Sequence, residues 1–238
     1  MADTGGREAL ITGASRGIGR ATAEKLAAQG YRLHLVSRNR ETLESTLRAL
    51  PGSGHRMLAA DLADSQGVEA LLADVAERMP RPDVVIINAG TALSAPVEAT
   101  STDDWDRIFN LNVRSPFLLL RGLIPALRAA RGRVIVVGSV VSTEPYPNQG
   151  AYAASKHALY GLTRVLAREL HPDGVVVQTV LPGGVATDMV REMRPDIDTA
   201  DLIRPEDVAE AISGLLGMRG AALSDEIRLR RKGKMPWA

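Results

Sequence analysis

Two short stretches of this chain are apolar at every position, and they constrain the fold more than any other feature. They are Val84–Ile87 and Val134–Val137. A half-exposed strand alternates apolar and polar residues, whereas an unbroken apolar run indicates a strand that is buried on both faces. Such strands belong to parallel sheets that helices cover on both sides. The two stretches therefore favour an α/β fold.

The rest of the chain fits this class, because stretches with strand and helix character alternate along it. The predicted strands are Glu8–Thr12, Tyr31–Ser37, Arg56–Ala59, Val84–Asn88, Arg133–Gly138, Val175–Leu181 and Glu226–Leu229. The predicted helices are Gly17–Gln29, Arg40–Ala49, Gln66–Arg78, Thr102–Arg131, Ala151–His171 and Pro205–Met218. We predict a single Rossmann-like, doubly wound domain over residues 1–238, with a central parallel sheet of about seven strands.

Composition excludes several classes of protein. The chain has 238 residues, of which 45% are hydrophobic, enough for one sizeable core. It has no cysteine, which excludes disulfides, thiolate metal sites and cysteine nucleophiles, and its four histidines show no ligand spacing, so we expect no metal site. A net charge of +1 and 3% aromatic residues give no basis for a nucleic-acid surface. No apolar run is long enough to span a membrane, and we expect a soluble, cytoplasmic protein without nucleic-acid or membrane partners.

A glycine-rich turn follows the first predicted strand and opens the first predicted helix. It reads Thr12-Gly13-Ala14-Ser15-Arg16-Gly17-Ile18-Gly19. Glycines at such a turn allow the backbone to approach a pyrophosphate, while the free N–H groups of the helix face the anion. The spacing alone is weak, but its place between a strand and a helix favours a dinucleotide site. The alternative is a glycine-rich turn in some other α/β protein.

The end of the second strand indicates which dinucleotide binds. A carboxylate there would accept hydrogen bonds from the adenosine ribose of NAD, but this chain has Ser37-Arg38. A hydroxyl and a cation suit a 2′-phosphate, and Arg16 can approach the same phosphate from the glycine turn. The sequence predicts NADP(H) rather than NAD(H). The alternative is that both arginines are solvated surface residues.

Three polar residues have a pattern that suits hydride chemistry at a carbonyl. Tyr152 and Lys156 are four residues apart, which places a phenol and an ammonium on one face of a helix. A nearby cation favours phenolate, so we expect Lys156 to lower the pKa of Tyr152 from about 10. Ser139 follows a buried strand and can hold a substrate oxygen beside the phenol. The alternative is a packed aromatic residue beside an exposed lysine.

At this point the chain resembles the short-chain dehydrogenase/reductase family, in an ordered match along nearly its whole length. The matching motifs are Thr12–Gly19, Asp61-Leu62, Asn88-Ala89-Gly90, Asn112, Ser139, Tyr152 with Lys156, and Pro182-Gly183. One position departs from the family, which often has asparagine where this chain has Ile87. The resemblance implies a nicotinamide-dependent oxidoreductase.

The resemblance also implies roles for particular residues. Asn112, Ser139, Tyr152 and Lys156 form the catalytic tetrad, in which Tyr152 donates a proton to the carbonyl and Ser139 positions the oxygen. Lys156 lowers the tyrosine pKa and binds the nicotinamide ribose, and Asn112 holds a water, although Asn110 is a second candidate. The residues expected to bind the cofactor are Gly13, Ser15, Arg16, Gly17, Ile18, Gly19, Arg38, Asp61, Leu62, Asn88, Ala89, Gly90, Tyr152, Lys156, Pro182, Gly183, Val185 and Thr187.

Two of these motifs have simpler interpretations. Asp61 follows the third predicted strand and could instead cap the next helix. The segment Pro182-Gly183-Gly184 could be no more than a strand terminator. The family resemblance assigns Asp61 to the adenine and Thr187 to the nicotinamide carboxamide.

The expected reaction is reduction of a ketone or aldehyde, or its reverse. A 3-oxoacyl thioester is one possible substrate, but the basic C-terminal segment Leu229–Ala238 differs from the glycine-rich ending usual in acyl-carrier reductases of the family. A non-catalytic nucleotide-binding regulatory protein is the remaining alternative. Substrate choice is expected to lie in residues 91–96, 140–150 and 189–203.

Two further expectations concern the surface of the protein. Residues 186–204 are expected to form a substrate lid. Arg191 and Arg194 in that lid could meet an acidic substrate, or they could simply face solvent. The resemblance also implies a homotetramer or a homodimer, assembled through the two long predicted helices.

Overall fold

Seven strands form one parallel sheet at the centre of the protein. The computed structural model describes residues 6–193, 198–218 and 220–235. The strands are β1 Glu8–Thr12, β2 Arg32–Ser37, β3 Arg56–Ala59, β4 Val84–Ile87, β5 Arg133–Val137, β6 Val176–Pro182 and β7 Glu226–Leu229. Their order across the sheet is β3-β2-β1-β4-β5-β6-β7, and each neighbouring pair is parallel. The predicted doubly wound α/β fold is confirmed.

Helices cover both faces of this sheet. They are α1 Gly17–Ala28, α2 Arg40–Ala49, α3 Ser65–Arg78, α4 Thr102–Phe109, α5 Ser115–Ala130, α6 Gly150–Leu170, α7 Asp188–Met193 and α8 Pro205–Gly217. Residues of α1, α2 and α8 belong to one buried cluster, and residues of α3, α5 and α6 belong to another. Ile86 of β4 packs in the first cluster and its neighbour Val85 in the second. The apolar runs are therefore apolar because both sides of each strand are buried.

The strand order reverses beside β1, and this reversal places the site. β1 pairs with β2 on one side and with β4 on the other. The connections after β1 and β4 leave the sheet in opposite directions, which opens a crevice at the carboxyl ends of the strands. The glycine turn after β1 and the segments after β4, β5 and β6 all reach this edge.

The predicted helix Thr102–Arg131 is helical from Thr102 to Ala130, but it contains a π-helical turn that the sequence did not predict. α4 ends at Phe109, a π-helical turn covers Asn110–Arg114, and α5 starts at Ser115. A π turn adds a residue to a helical turn and rotates the residues that follow, and such turns often mark functional sites. Here the turn contains Asn112, whose side chain is fully buried. None of the described helices combines the length and the apolar character needed to cross a membrane.

Candidate active site

The glycine turn after β1 leaves little room for a side chain at its three glycine positions. Gly13 and Gly17 have φ angles of +67° and +54°, in the left-handed region that favours glycine. A Cβ on Gly19 would lie 2.1 Å from the carbonyl oxygen of Gly13, so this glycine lets α1 begin against β1. The side chain of Asn88, after β4, donates hydrogen bonds to the carbonyl oxygens of Thr12 and Gly13 at 3.0 and 3.1 Å. The turn is thus fastened to the neighbouring strand.

A cleft runs from this turn along the carboxyl ends of the strands. Nearly all residues expected to bind the cofactor line it. They are Gly13, Ser15, Arg16, Gly17, Ile18, Arg38, Asp61, Leu62, Asn88, Ala89, Gly90, Tyr152, Lys156, Pro182, Gly183, Val185 and Thr187. Gly19 is the exception, because it is buried in the first turn of α1. Arg107, which the sequence analysis did not consider, also lines the cleft and donates to the hydroxyl of Thr91 at 3.2 Å.

The end of the cleft beside β2 carries the two arginines expected to bind the 2′-phosphate. The Arg38 side chain is 81% exposed, and its nearest carboxylate oxygen, on Asp61, is 4.0 Å away. Arg16 forms an exposed ion pair with Asp188 of α7 at 3.2 Å. Asp61 does not cap α3, because its carboxylate accepts from the Ala63 N–H and Asp64 is the N-cap. Two cations therefore remain accessible to a phosphate at this end.

Two hydroxyl groups and one ammonium group lie together at the other end of the cleft. Ser139 follows β5 after Gly138, and its hydroxyl lies beside the phenol of Tyr152 on α6. One turn further along α6, Lys156 is buried and donates to the carbonyl oxygen of Val137 at 3.1 Å. Its Nζ is 5.9 Å from the centroid of the Tyr152 ring. The structure thus brings together the three residues that the sequence pattern selected.

Burial governs the acidity of this group. It raises the pKa of the Tyr152 phenol above 10, and only the neighbouring Ser139 hydroxyl acts in the opposite direction. It also lowers the pKa of Lys156 to about 8, because a buried ammonium loses its solvation. The net shift of the tyrosine pKa is therefore upwards, opposite to the expected lowering, because burial is the largest influence. Tyr152 is held as a protonated phenol, the form that an acid needs.

Asn112 fixes the backbone beside the cleft rather than lining it. Its Oδ1 accepts a hydrogen bond from the Thr91 N–H at 2.9 Å, and its Nδ2 donates to the Thr91 carbonyl at 2.8 Å. The Nδ2 also donates to the hydroxyl of Ser155 at 3.0 Å. Asn110 is only partly buried. Asn112 therefore ties the segment after β4 to helix α6, between Tyr152 and Lys156.

A second cavity, of about 670 Å³, adjoins the cleft. Its walls come from the segment after β5 and from α7, both of which the sequence predicted to govern substrate choice. The residues at and after the end of β7 also line it, and the sequence did not predict them as part of the site. The lining residues are Ser139, Val140, Val141, Glu144, Tyr146, Gln149, Tyr152, Gly183, Gly184, Met189, Val190, Met193, Leu202, Arg228, Arg230, Arg231, Lys234 and Met235.

Part of the expected lid belongs to this wall. Met189, Val190 and Met193 of α7 line the cavity, whereas Arg191 pairs with Asp188 at 3.3 Å. Arg194 lies outside the described residues. The cavity and the cleft share Ser139, Tyr152, Gly183, Met189 and Val190. The two hydroxyls therefore stand where the two spaces meet.

The fold and this double site define a Rossmann-type dinucleotide-binding protein. The model of the short chain dehydrogenase family matches residues 7–198. A rhamnolipid-biosynthesis 3-oxoacyl-[acyl-carrier-protein] reductase from Pseudomonas aeruginosa is 33% identical over 239 residues, which cover 93% of each chain. The chain belongs to the short-chain dehydrogenase family. It is an oxidoreductase that acts on a carbonyl or CH–OH group of a small-molecule substrate.

Two solved structures share the fold over almost the whole chain. A metagenomic short-chain oxidoreductase in complex with NADP has 31% identity and a TM-score of 0.85, over 98% of this chain and 100% of its own. An alcohol dehydrogenase from Thermococcus sibiricus, complexed with 5-hydroxy-NADP, has 30% identity and a TM-score of 0.89, over 97% of this chain and 98% of its own. Both neighbours carry an NADP-type nucleotide, which agrees with the cofactor predicted from Arg16 and Arg38.

Proposed function

We propose that this protein reduces a ketone or aldehyde to an alcohol with NADPH, or catalyses the reverse reaction, and that Tyr152 is its general acid. One observation carries the proposal: Ser139 and Tyr152 line both the nucleotide cleft and the adjoining cavity. A carbonyl in the cavity can therefore meet both hydroxyls and a nucleotide in the cleft at the same time. Holding the reacting groups together in this way accounts for much of the rate of such reactions.

The cleft fits a dinucleotide with a 2′-phosphate. The turn around Gly13 and Gly17 leaves room for a pyrophosphate beside the N-terminus of α1. Arg38 and Arg16 bind the 2′-phosphate, because a guanidinium matches phosphate oxygens in geometry and charge. Further along the cleft, Thr187 binds the nicotinamide carboxamide. When bound, the nicotinamide ring supplies the hydride that reduces the carbonyl carbon.

The residues after β5 and on α6 bind the substrate oxygen and transfer a proton to it. Ser139 donates a hydrogen bond to the substrate oxygen, and Tyr152 transfers its proton to that oxygen as negative charge develops there. The Lys156 ammonium stabilises the phenolate that remains and holds the nicotinamide ribose. Asn112 positions a water that connects Lys156 to solvent. In the reverse direction, the phenolate accepts the proton.

Reduction of a 3-oxoacyl thioester is the second candidate. Its support is the relative from Pseudomonas aeruginosa, which carries that activity in its name and aligns with 93% of this chain. The chemistry at Ser139 and Tyr152 would be the same. A comparison of free ketones with oxoacyl thioesters separates the two candidates.

The protein is proposed to assemble as a homotetramer, or as a homodimer. Trp105 of α4, Phe117 of α5 and Val165 of α6 are large apolar side chains that are exposed in the single chain. Packing against partner copies would remove them from water. Light scattering of the purified protein measures the assembly. The single domain over residues 1–238, the lid and the cytoplasmic location stay predictions.

The proposal is tested by following NADPH oxidation with a panel of ketones, aldehydes and oxoacyl thioesters. At least one class is expected to be reduced, with NADPH preferred to NADH. Replacing Tyr152→Phe is expected to lower kcat by at least about a hundredfold while NADPH still binds, the scale of losing a general acid. Tyr160→Phe is the matched control, because Tyr160 lies on the same helix and its hydroxyl bonds Glu226 at 2.6 Å. Undiminished turnover in Tyr152→Phe would refute the role.

A further inference from the structure

The wall of the second cavity has an unbalanced charge. Four cationic side chains line it, Arg228, Arg230, Arg231 and Lys234, against a single carboxylate, that of Glu144. All four cations come from the residues at and after the end of β7. The cavity, which Ser139 and Tyr152 also line, is therefore electropositive on one side.

Two of these cations share one carboxylate, which balances only one of their two charges. Arg228 forms an ion pair with Glu144. Lys234 lies 3.7 Å from the same carboxylate and donates to the Tyr146 hydroxyl at 3.0 Å. Tyr146 in turn donates to Glu144 at 3.0 Å. These contacts fasten the C-terminal segment to the segment after β5, and they occupy both cations.

Arg230 is also occupied, whereas Arg231 is not. One nitrogen of the Arg230 guanidinium lies 3.1, 3.2 and 2.7 Å from the carbonyl oxygens of Arg231, Lys232 and Lys234. The Arg231 side chain has no hydrogen-bond or ion-pair partner within the part of the chain that the structure describes. It is half-buried, so water solvates its charge only in part.

The place of Arg231 links it to the reaction centre. Its Cδ comes within 4.0 Å of the position that a Cβ on Gly184 would occupy, so its stem packs over that glycine. The N–H of the preceding Gly183 bonds the carbonyl of Leu229 at 2.8 Å, which holds the end of β7 against the strand terminator. Gly183 lines both the cleft and the cavity. Arg231 therefore belongs to the wall that starts beside the nucleotide.

We propose that the substrate is a carbonyl compound that carries an anionic group, a carboxylate or a phosphate, and that the Arg231 guanidinium binds this group. The inference rests on the proposed function and specifies its substrate class. A guanidinium offers paired N–H donors that match both anions, and their attraction is stronger in a half-buried cavity than in water. Arg231 is then a specificity-determining residue, while Ser139 and Tyr152 act on the carbonyl.

Two substrate pairs test the inference and identify the anion. The first pair is a medium-chain oxo acid and its methyl ester. The second is a 3-oxoacyl thioester of pantetheine with and without the 4′-phosphate. With saturating NADPH, kcat/KM is measured for all four compounds in the native protein and in Arg231→Gln. In one pair the native protein is expected to prefer the anionic member, and Arg231→Gln is expected to reduce that preference by about ten- to a hundredfold, the range for a charged hydrogen bond.

Lys232→Gln is the matched control, because it removes the same charge from the next, exposed residue outside the cavity wall. This variant is expected to keep the native preference, and Arg231→Lys is expected to keep part of it. Equal kcat/KM for both members of both pairs, or an equal effect of Lys232→Gln, would overturn the role of Arg231 while leaving the proposed function intact. Failure to reduce any carbonyl in the panel would overturn both.

Discussion

The ammonium of Lys156 lies 5.9 Å from the centroid of the Tyr152 ring and donates a hydrogen bond to the carbonyl oxygen of Val137 at 3.1 Å. The Lys156 ammonium therefore lies close to the Tyr152 phenol without a direct hydrogen bond between the two groups. Burial shifts the two pKa values in opposite directions, upwards for Tyr152 and downwards for Lys156. The phenol stays protonated across the physiological range, whereas the ammonium titrates close to it.

The pH dependence of nucleotide binding follows from this lysine. The pKa of Lys156 is about 8, so the charge proposed to hold the nicotinamide ribose is present below pH 8 and is lost above it. We expect the affinity for NADPH, measured by fluorescence titration from pH 6 to 9.5, to fall above about pH 8. Tyr152→Phe should show the same fall, because it keeps the lysine, and Lys156→Met should lose it. A flat native profile up to pH 9.5 would contradict the assignment.

Cofactor selectivity is expected to depend on Arg38. Its side chain is 81% exposed and lies 4.0 Å from the nearest carboxylate oxygen, so it is available to a 2′-phosphate. Arg38→Asp places a negative charge against that phosphate. We expect the Michaelis constant for NADPH to rise about a hundredfold, and that for NADH to change far less, since a charged hydrogen bond is replaced by repulsion.

The matched control for this variant is Arg40→Asp. This variant makes the same charge change two residues further along the chain. Arg40 is exposed on α2, where it lies 3.7 Å from Glu44, and it does not line the cleft. Its replacement should leave the ratio of the two Michaelis constants close to the native value. Equal changes for NADPH and NADH in Arg38→Asp would disprove the role of Arg38.

The close approach of α1 to β1 predicts a stability effect. A Cβ on Gly19 would lie 2.1 Å from the backbone oxygen of Gly13, and only backbone movement can relieve this overlap. Gly19→Ala is expected to lower the free energy of unfolding by about 1–3 kcal/mol, the usual range for overpacking, and to weaken NADPH binding by displacing the turn. Urea unfolding and fluorescence titration measure the two effects.

Gly214→Ala provides the opposite expectation in the same kind of element. Gly214 is exposed on α8, and a Cβ there would meet no atom within 4 Å. Alanine is the better helix former, so this variant is expected to stabilise the protein by about 0.5–1 kcal/mol. If Gly19→Ala were as stable as Gly214→Ala, the turn would not need its glycine.

Local patterns were sufficient to predict the sheet. The strands β1, β3 and β7 have the predicted bounds, β2, β4 and β5 differ by one residue at one end, and β6 is shifted by one residue at both ends. Apolar runs between turn residues specify strands that are buried on both faces, and the glycine turn specifies the start of α1. The π-helical turn between α4 and α5 could not be predicted, because the sequence has helical periodicity on both sides of it. Asn112 in this turn contacts Thr91 and Ser155, which are distant in sequence.

The electropositive side of the second cavity could not be predicted for a similar reason. In the sequence, the basic segment after β7 has the composition of a solvated C-terminal tail. It becomes part of the cavity because β7 pairs with β6, which brings Leu229 beside Pro182. Glu144 then meets Arg228 across 84 positions of sequence. The positive charge near Ser139 and Tyr152 therefore depends on the pairing of β7 with β6, which the residue composition does not reveal.

A buried histidine makes the stability of the sheet dependent on pH. His34 lies on β2 with 1% of its surface exposed, and its Nε2 is 2.8 Å from a carboxylate oxygen of Asp74 on α3. Burial is the largest influence and lowers the pKa of His34 below 6.5, while Asp74 acts in the opposite direction. The nearby Arg56 and Arg78 add to the lowering. The folded protein therefore holds this imidazole neutral at a pH at which the unfolded chain binds a proton.

The sign of the effect follows from proton binding. As the pH falls below 6.5, the His34 imidazole binds a proton in the unfolded chain but not in the folded one. The free energy of unfolding therefore decreases by at most about 1.4 kcal/mol per pH unit. Stability from this source is complete above 6.5 and is lost between 6.5 and the lower folded-state value. We expect the urea midpoint of the native protein to fall more between pH 7.5 and 5.5 than that of His34→Gln, which lacks the titrating group. The exposed His171→Gln should retain the native dependence, and equal slopes in the native protein and His34→Gln would rule out His34 as the source.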